Sequence, residues 1–363
     1  MRSASERERR ERVLASPRFK GGLFRNTHRV PVGPKPGMRM GVAREYLFGG
    51  QSRRPPAPLP SEDPRPLLAR PVESGFRTTW LGHSTVLLEM DGMRVLTDPV
   101  WSERISPFGI AAPKRFQPVP MRIEDLPALD AIVISHDHFD HLDHGTVVAL
   151  IAAQRAPFVT SLGVGMYLEA WGVPPERIIE LDWWEAATLR GGDLVLTATP
   201  SQHFSGRVGK RNHTLWSSFV IQTANRRVFF SGDTALTPEF ADVRAKLGPF
   251  DLVMLEIGGF HTAWDHIHLG PANALDALEL LGGGRLMPVH WGTFNLALHA
   301  WNDPPDQLVE LATARKTDLV MPRLGAPFEP DRGLALEPWW RPVLRREHAH
   351  PGVFAAADER RIG

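Results

Sequence analysis

Apolar residues recur along this chain in two rhythms. Short β-rich runs predict strands at Thr78-Thr79-Trp80-Leu81, Thr85–Glu89 and Arg94–Thr97, the last two joined at an Asp91-Gly92 hairpin signal. Ala131-Ile132-Val133-Ile134 predicts a buried strand, and Phe158-Val159, Ile178–Leu181, Leu194–Thr199, Ser217–Gln222, Arg227–Phe230, Leu252–Leu255 and Leu286–His290 continue the series. Helical signals stand between them. Asp143 is placed to cap a helix through Val147, Val148 and Leu150, and Val164–Trp171 and Thr237–Leu247 follow. Pro271 occupies a first turn ahead of Ala274–Leu281, which Gly282-Gly283-Gly284 stop, and Pro305–Ala314 is the last helix. Helices interspersed with strands in both halves must cover sheet faces. Two mixed sheets packed face to face, with helices outside, meet that need: an α+β fold in four layers, αββα.

Two regions lack these rhythms. Residues 1 to about 20 are dense in Arg and Glu and predict a charged, poorly ordered arm. Residues 31–74 are rich in Pro, most densely at Arg53-Arg54-Pro55-Pro56-Ala57-Pro58, and predict an extended strap. Leu23, Phe24, Tyr46, Leu47 and Phe48 are expected to anchor it by packing against the core. The chain thus divides into an arm and strap (1–75), a compact domain (76–330) and a C-terminal tail (331–363).

The 363 residues are 42% hydrophobic and 23% charged, a globular balance that supports a sizeable core. A net charge of +1 gives no argument for nucleic acid. The chain has no cysteine, which excludes disulfides and thiolate metal sites. Any metal must be held by nitrogen and oxygen, a donor set that suits zinc, manganese or iron. No apolar run approaches the roughly 18 residues of a membrane span, and the N-terminus has no apolar signal region. The expectation is a cytoplasmic protein, with peripheral membrane contact left open.

The chemistry concentrates behind Ala131–Ile134, in Ser135-His136-Asp137-His138-Phe139-Asp140-His141. Side chains alternate along extended backbone, so His136 and His138 point the same way, and Asp140 and His141 follow as the chain turns. Two pairs of donors at one strand end suggest two adjacent metals. His203, Asp233 and His290 each follow a further predicted strand. Alone, each reads as a structural His or a turn Asp. Together they supply enough donors for two metals and leave positions open for water, as catalytic sites do.

The His136–His141 run resembles the HxHxDH signature of the metallo-β-lactamase superfamily. Trp80-Leu81-Gly82-His83-Ser84-Thr85, Leu96-Thr97-Asp98-Pro99, Asp182-Trp183-Trp184, Ser231-Gly232-Asp233-Thr234 and His290-Trp291-Gly292-Thr293-Phe294 narrow the likeness to the branch of N-acylphosphatidylethanolamine-hydrolysing phospholipase D and its bacterial relatives. The resemblance covers roughly residues 76–325. It implies the αββα sandwich and two Zn2+ per chain, with Mn2+ or Fe2+ accepted by the same donors. His136, His138 and His203 would hold one ion, Asp140, His141 and His290 the other, and Asp233 would bridge them. His268 would match the family histidine near the substrate, with His261 and His266 as the alternatives for that role, and Asp140 and His268 are the catalytic candidates. His83 and Asp98 would orient ligands.

The activity implied is hydrolysis of a phospholipid-like phosphodiester to phosphatidic acid and an N-acylethanolamine, by attack of a metal-activated hydroxide. A lactonase or soluble phosphodiesterase on the same site, or a non-enzymatic metal-binding protein, are the competing readings. A homodimer is compatible with the family. Lys114 and Arg115 are read either as phosphate contacts or as a solvated loop, and Trp183, Trp184 and Trp216 as packing rather than an acyl-chain groove.

Overall fold

In the computed structural model, which describes residues 4–106, 112–207 and 209–344, the charged N-terminal segment is not an irregular arm but a helix, α1 (Ala4–Ala15). Its apolar content is too thin to bury a face, and ion pairs hold it instead. Arg9 reaches Glu180 and, at 2.9 Å, Glu169, while Arg12 donates to the Glu180 carbonyl at 2.6 Å. A ribbon of β1 (Phe19–Lys20) and β2 (Leu23–Phe24) follows, then α2 (Arg39–Phe48) and the single turn α3 (Arg65–Leu68). The strap is therefore partly helical, because the ten residues of α2 contain no proline to break them. Phe24 anchors it as expected, fully buried with Leu162, Trp183, Leu215 and Trp216. Tyr46, Leu47 and Phe48 do not: they are 64, 67 and 79% exposed.

The first sheet uses β3 (Phe76–Gly82), β4 (Thr85–Met90), β5 (Met93–Thr97), β6 (Ala131–Ile134), β7 (Phe158–Ser161) and β8 (Ile178–Leu181), with α4 (His144–Ala153) and α5 (Gly165–Ala170) crossing between the last three. Asp91 and Gly92 both have positive φ, 49° and 82°, as a two-residue hairpin turn requires. Asp143 caps α4 through the Thr146 amide.

The second half contributes β9 (Ala186–Leu189), β10 (Leu194–Thr199), a ribbon of β11 (Gly206–Arg207) and β12 (Lys210–Arg211), β13 (Ser218–Gln222), β14 (Arg227–Phe230), α6 (Glu239–Leu247), β15 (Leu252–Glu256), α7 (Gly270–Leu280), β16 (Leu286–Val289) and α8 (Asp303–Arg315). Then β17 (Pro327–Phe328) returns to the first sheet and α9 (Arg341–Leu344) follows. The sheet orders are β17-β3-β4-β5-β6-β7-β8 and β16-β15-β14-β13-β10-β9.

Alternation along the strands makes the layers. Val86, Leu88, Val95, Val133 and Val159 meet Leu196, Ala198, Phe219, Ile221 and Phe230 between the sheets. The alternate residues Leu87, Leu96, Ile132, Ile134 and Phe158 pack on Val147, Leu150 and Leu168 of α4 and α5. Phe240, Leu278 and Leu308 bring α6, α7 and α8 onto the second sheet. The four layers are those the sequence predicts. Beyond residue 330, Trp339 and Trp340 are buried against Trp291, with ring centroids 5.7 and 5.2 Å away, so that part of the tail completes the core. Residues 345–363 lie outside the described residues. Among the described residues, no helix is long and apolar enough to cross a membrane.

Candidate metal centre

Strands of both sheets release their C-terminal ends at one place, which is where mixed α/β sheets gather functional groups. His83 follows β3, Asp98 follows β5, and His136–His141 follow β6. From the second sheet come His203 after β10, Asp233 after β14, Glu256 at the end of β15 and His290 after β16.

The side chains converge in overlapping donor sets: His136, His138 and His203 with Asp233, then Asp140, His141 and His290 with His83, and a third of Glu256, His268 and His290 with Asp233. In the first, His136 Nε2 and His203 Nε2 lie 2.9 and 3.3 Å from His138 Nδ1, and 3.9 and 3.7 Å from Asp233 Oδ2. In the second, His141 Nε2 and His290 Nε2 each lie 3.2 Å from Asp233 Oδ1 and 3.5 Å from Asp140 Oδ2. Donors about 2.0–2.1 Å from a tetrahedral cation stand roughly 3.3 Å apart, so these spacings fit a common ion in each set. His141 Nε2, His290 Nε2 and Asp233 Oδ1 are buried and find no aligned hydrogen bond among the described residues. Buried polar atoms rarely stay unpaired, and three that aim at one point fit a cation better than a core.

The electrostatics agree. Burial keeps the imidazoles of His136, His138 and His203 below their ordinary basicity, hence neutral with lone pairs free. Burial alone would also lower His290, but the Asp233 carboxylate pushes it up to about 10. His141 rises well above its ordinary value for the same reason, against the same burial. Asp140 and Asp233 are held well below the carboxylate range, chiefly by His141, although burial opposes their ionisation. The carboxylates draw positive charge to the spot where the nitrogens meet.

A second layer fixes these groups. Asp98 Oδ2 takes the His141 Nδ1 proton at 2.7 Å and the Ser135 hydroxyl at 2.6 Å, and Ser135 Oγ lies 2.9 Å from His136 Nδ1. His83 Nε2 sits 3.1 Å from Asp140 Oδ2. The backbone amide and carbonyl of His203 bond to the Asn26 side chain at 3.2 and 2.8 Å. Asp137 faces away, accepting from the Gly206 amide at 2.7 Å, as strand alternation dictates. His268 is at the centre: Nδ1 bonds Glu256 Oε2 at 2.8 Å and lies 4.0 Å from Asp233 Oδ2. Burial lowers its basicity, and Glu256 more than reverses that. Its two rivals are elsewhere, His261 paired with Glu45 at 2.9 Å and His266 with the Pro31 carbonyl at 2.9 Å.

Other expectations resolve by contact. Arg115 is not a phosphate contact: it is buried, and donates to the carbonyls of Val100 and Ser102 at 2.8 and 3.1 Å. Lys114 pairs with Glu103. Trp183 and Trp216 are buried packing residues. Two groups escaped the sequence reading. Glu256 terminates a strand whose apolar run stops one residue earlier, without the Ser-Gly turn that sets Asp233 apart from its own strand. Asn26 lies in the strap, where nothing in sequence links it to His203.

Residues 93–291 match the sequence model of a family described as beta-lactamase superfamily domain. An uncharacterized protein of Mycobacterium tuberculosis is 44% identical over 331 residues, covering 90% of this chain and 88% of that one. The N-acyl-phosphatidylethanolamine-hydrolyzing phospholipase D 1 of Caenorhabditis elegans is 37% identical over 256 residues, covering 67% of this chain and 72% of that one. Among solved structures, a metallo hydrolase from Ignicoccus hospitalis superposes with a TM-score of 0.54 at 23% identity, over 70% of this chain and 98% of that one, which shows a shared fold.

Proposed function

This chain belongs to the beta-lactamase superfamily, and we propose that it is a metal-dependent phosphodiesterase of the phospholipase D type, acting on a lipid such as an N-acylphosphatidylethanolamine. The observation that carries the reading is Asp233, which turns one oxygen toward each of two donor sets. His136, His138 and His203 would hold one divalent cation, and Asp140, His141 and His290 the other. Zinc suits these nitrogen and oxygen donors, and manganese or iron(II) is accepted by them. Two such ions, when bound, supply Lewis acidity and lower the pKa of water toward neutrality.

The chain's own residues do the remaining work. Asp98 and Ser135 hold the imidazoles of His141 and His136 in the tautomer that keeps Nε2 free. Hydrolysis adds water across one P–O bond: the water oxygen stays on phosphorus and a proton must reach the departing alcohol. His268, steadied by Glu256 through Nδ1, keeps Nε2 for that proton. The half-buried Phe204 ring lies 4.6 Å from that of His138. An aromatic ring beside the donors suits a substrate with an apolar part. The likeness to the worm phospholipase supports the same substrate class.

Protein purified without chelator is expected to carry two divalent ions per chain and to release N-acylethanolamine from N-acylphosphatidylethanolamine in vesicles. Turnover by metal-free protein would overturn the metal dependence. A metal-loaded protein that opens lactones or soluble diesters and spares the lipid would overturn the substrate class.

A further inference from the structure

The large apolar side chains this fold leaves in water are concentrated on one helix. Met40, Tyr46, Leu47 and Phe48 of α2 are 83, 64, 67 and 79% exposed, and α2 buries no residue of its own. A helix that keeps its apolar residues outside is held by something else, and here polar ties do it. Glu45 bonds His261 at 2.9 Å, and Lys35, just ahead of the helix, bonds Asp265 at 2.7 Å and donates its amide to the Ala263 carbonyl at 2.7 Å. All three partners belong to the loop that leads to His268. The helix is bracketed by Gly37 and Gly50, with φ of 82° and 69°, where the chain turns into and out of it.

Charge is as uneven as hydrophobicity. Between residues 18 and 56 the chain carries nine Arg and Lys against one acidic residue, Glu45, while the whole chain stands at +1. Glu45 is taken up by His261. An open groove of about 600 Å³ beside α2 is lined by Val32, Val42, Tyr46 and Leu47, with Arg39 and Arg211 among them. Arg211 connects it to the metal centre: its guanidinium lies over the Phe204 ring at 5.8 Å, and Phe204 touches His138.

We propose that α2 docks the protein on an anionic lipid surface, with Leu47 and Phe48 entering the interface, Arg39 and Arg44 meeting its charge, and the Arg211–Phe204 side of the groove turned toward the metal centre. The apolar residues of α2 do not form one face of the helix; Tyr46, Leu47 and Phe48 gather at its last turn, and exposed apolar area beside positive charge is the pairing that binds anionic lipid. The assignment rests on the proposed function only for what is delivered to the centre, since attachment itself needs neither metal nor turnover.

The test is co-sedimentation of the full chain with vesicles of phosphatidylglycerol and phosphatidylcholine in equal parts, against vesicles of phosphatidylcholine alone. Partition is expected to be about tenfold or more stronger on the anionic vesicles and to weaken with salt. Leu47→Ser with Phe48→Ser is expected to reduce partition about tenfold or more at an unchanged thermal midpoint, because both side chains are exposed. Arg39→Ser with Arg44→Ser is expected to remove most of the preference for anionic vesicles. Wild-type protein that pellets no more with vesicles than without them overturns the assignment, as does an apolar double variant that binds like wild type. A dimer that the apolar double variant dissociates, without vesicle binding, also overturns it and gives the face to a second copy. Because metal-stripped protein is expected to bind equally well, a negative result leaves the metal centre standing.

Discussion

Replacing Asp98 by Asn alters one atom of the carboxylate from which both donor sets are oriented. Oδ1 accepts the Ser135 amide at 2.7 Å, while Oδ2 accepts the Ser135 hydroxyl at 2.6 Å and His141 Nδ1 at 2.7 Å. The Asn carbonyl must face the Ser135 amide, so the new NH2 group faces two donors. His141 escapes the clash by moving its proton to Nε2, the atom that would ligate. Ser135, now accepting from the amide, turns its hydroxyl proton toward His136 Nδ1, so the imidazole of His136 must carry its own proton on Nε2 as well. A charge-assisted hydrogen bond of this kind contributes about 2 kcal/mol, or roughly thirtyfold in affinity, inside the 10–100-fold range common for residues that orient metal ligands. Titration of metal-stripped protein against a chromophoric chelator is expected to show both affinities reduced by about that factor. Ser135→Ala removes the partner of His136 Nδ1 but leaves the Asp98–His141 bond in place, so it is expected to weaken the His136 site more than the other. Two affinities within about twofold of wild type for the Asn variant would refute the reasoning, and so would equal losses at both sites for Ser135→Ala.

Removal of the His268 imidazole by Ala is expected to lower turnover by a factor on the order of 10²–10⁴ while metal content stays at the wild-type value; steady-state kinetics with metal analysis on the same sample checks it, and undiminished turnover removes His268 from the reaction. A methyl group at Gly258 would stand 2.0 Å from the His290 carbonyl oxygen, so Gly258→Ala is expected to cost about 1–3 kcal/mol, read as a lower urea midpoint. Asp91 ties the first hairpin to the second sheet, accepting from Thr223 Oγ1 at 2.7 Å and the Asn225 amide at 2.9 Å. Its partial burial raises the carboxyl, but those bonds outweigh it and hold Asp91 below its ordinary 3.8. A depressed folded-state value stabilises above 3.8 and is lost as pH falls beneath it, so the gap in thermal midpoint between wild type and Asp91→Asn is expected at pH 7 and to narrow below pH 3.8. A gap that stays constant with pH argues against the ionic part.

Much of the fold was legible because its strands are short apolar runs that end abruptly. The run Ala131–Ile134 is paired on both sides, by β5 and β7, and buried throughout, as its composition requires. β9 escaped because Ala186–Leu189 is an edge strand of mostly small residues, only Ala187 of which is buried, and β17 because two residues carry no period. α1 escaped for a different reason. Arg9 finds its partners Glu169 and Glu180 at separations of 160 and 171 positions, and no local pattern announces them. The donor set was legible because each member closes a strand. Glu256 obeys the same rule, yet a carboxylate that follows an apolar run without a turn residue reads as the strand's last exposed position rather than as a group facing a buried centre.

The position of the donors also explains where the fold tolerates strain. His83, Asp98 and His290 all have positive φ, 53°, 31° and 63°, a region that costs non-glycine residues on the order of 1–3 kcal/mol each. All three follow strands that end at the centre. The conformations persist because neighbours bind them on both sides. The His83 amide donates to Thr293 Oγ1 at 2.7 Å, and its carbonyl accepts from the Trp80 indole at 2.9 Å and the His290 amide at 3.0 Å. The Asp98 amide bonds the Val133 carbonyl at 2.8 Å, and the Asp98 carbonyl accepts Thr85 Oγ1 at 2.7 Å. A relaxed strand end would send successive side chains to opposite faces. Turning the backbone at these residues brings His290 Nε2 to 3.2 Å from Asp233 Oδ1, His83 Nε2 to 3.1 Å from Asp140 Oδ2 and Asp98 Oδ2 to 2.7 Å from His141 Nδ1. The strain thus falls on one candidate ligand and on two residues that orient others, and the buried hydrogen bonds around them hold it in place.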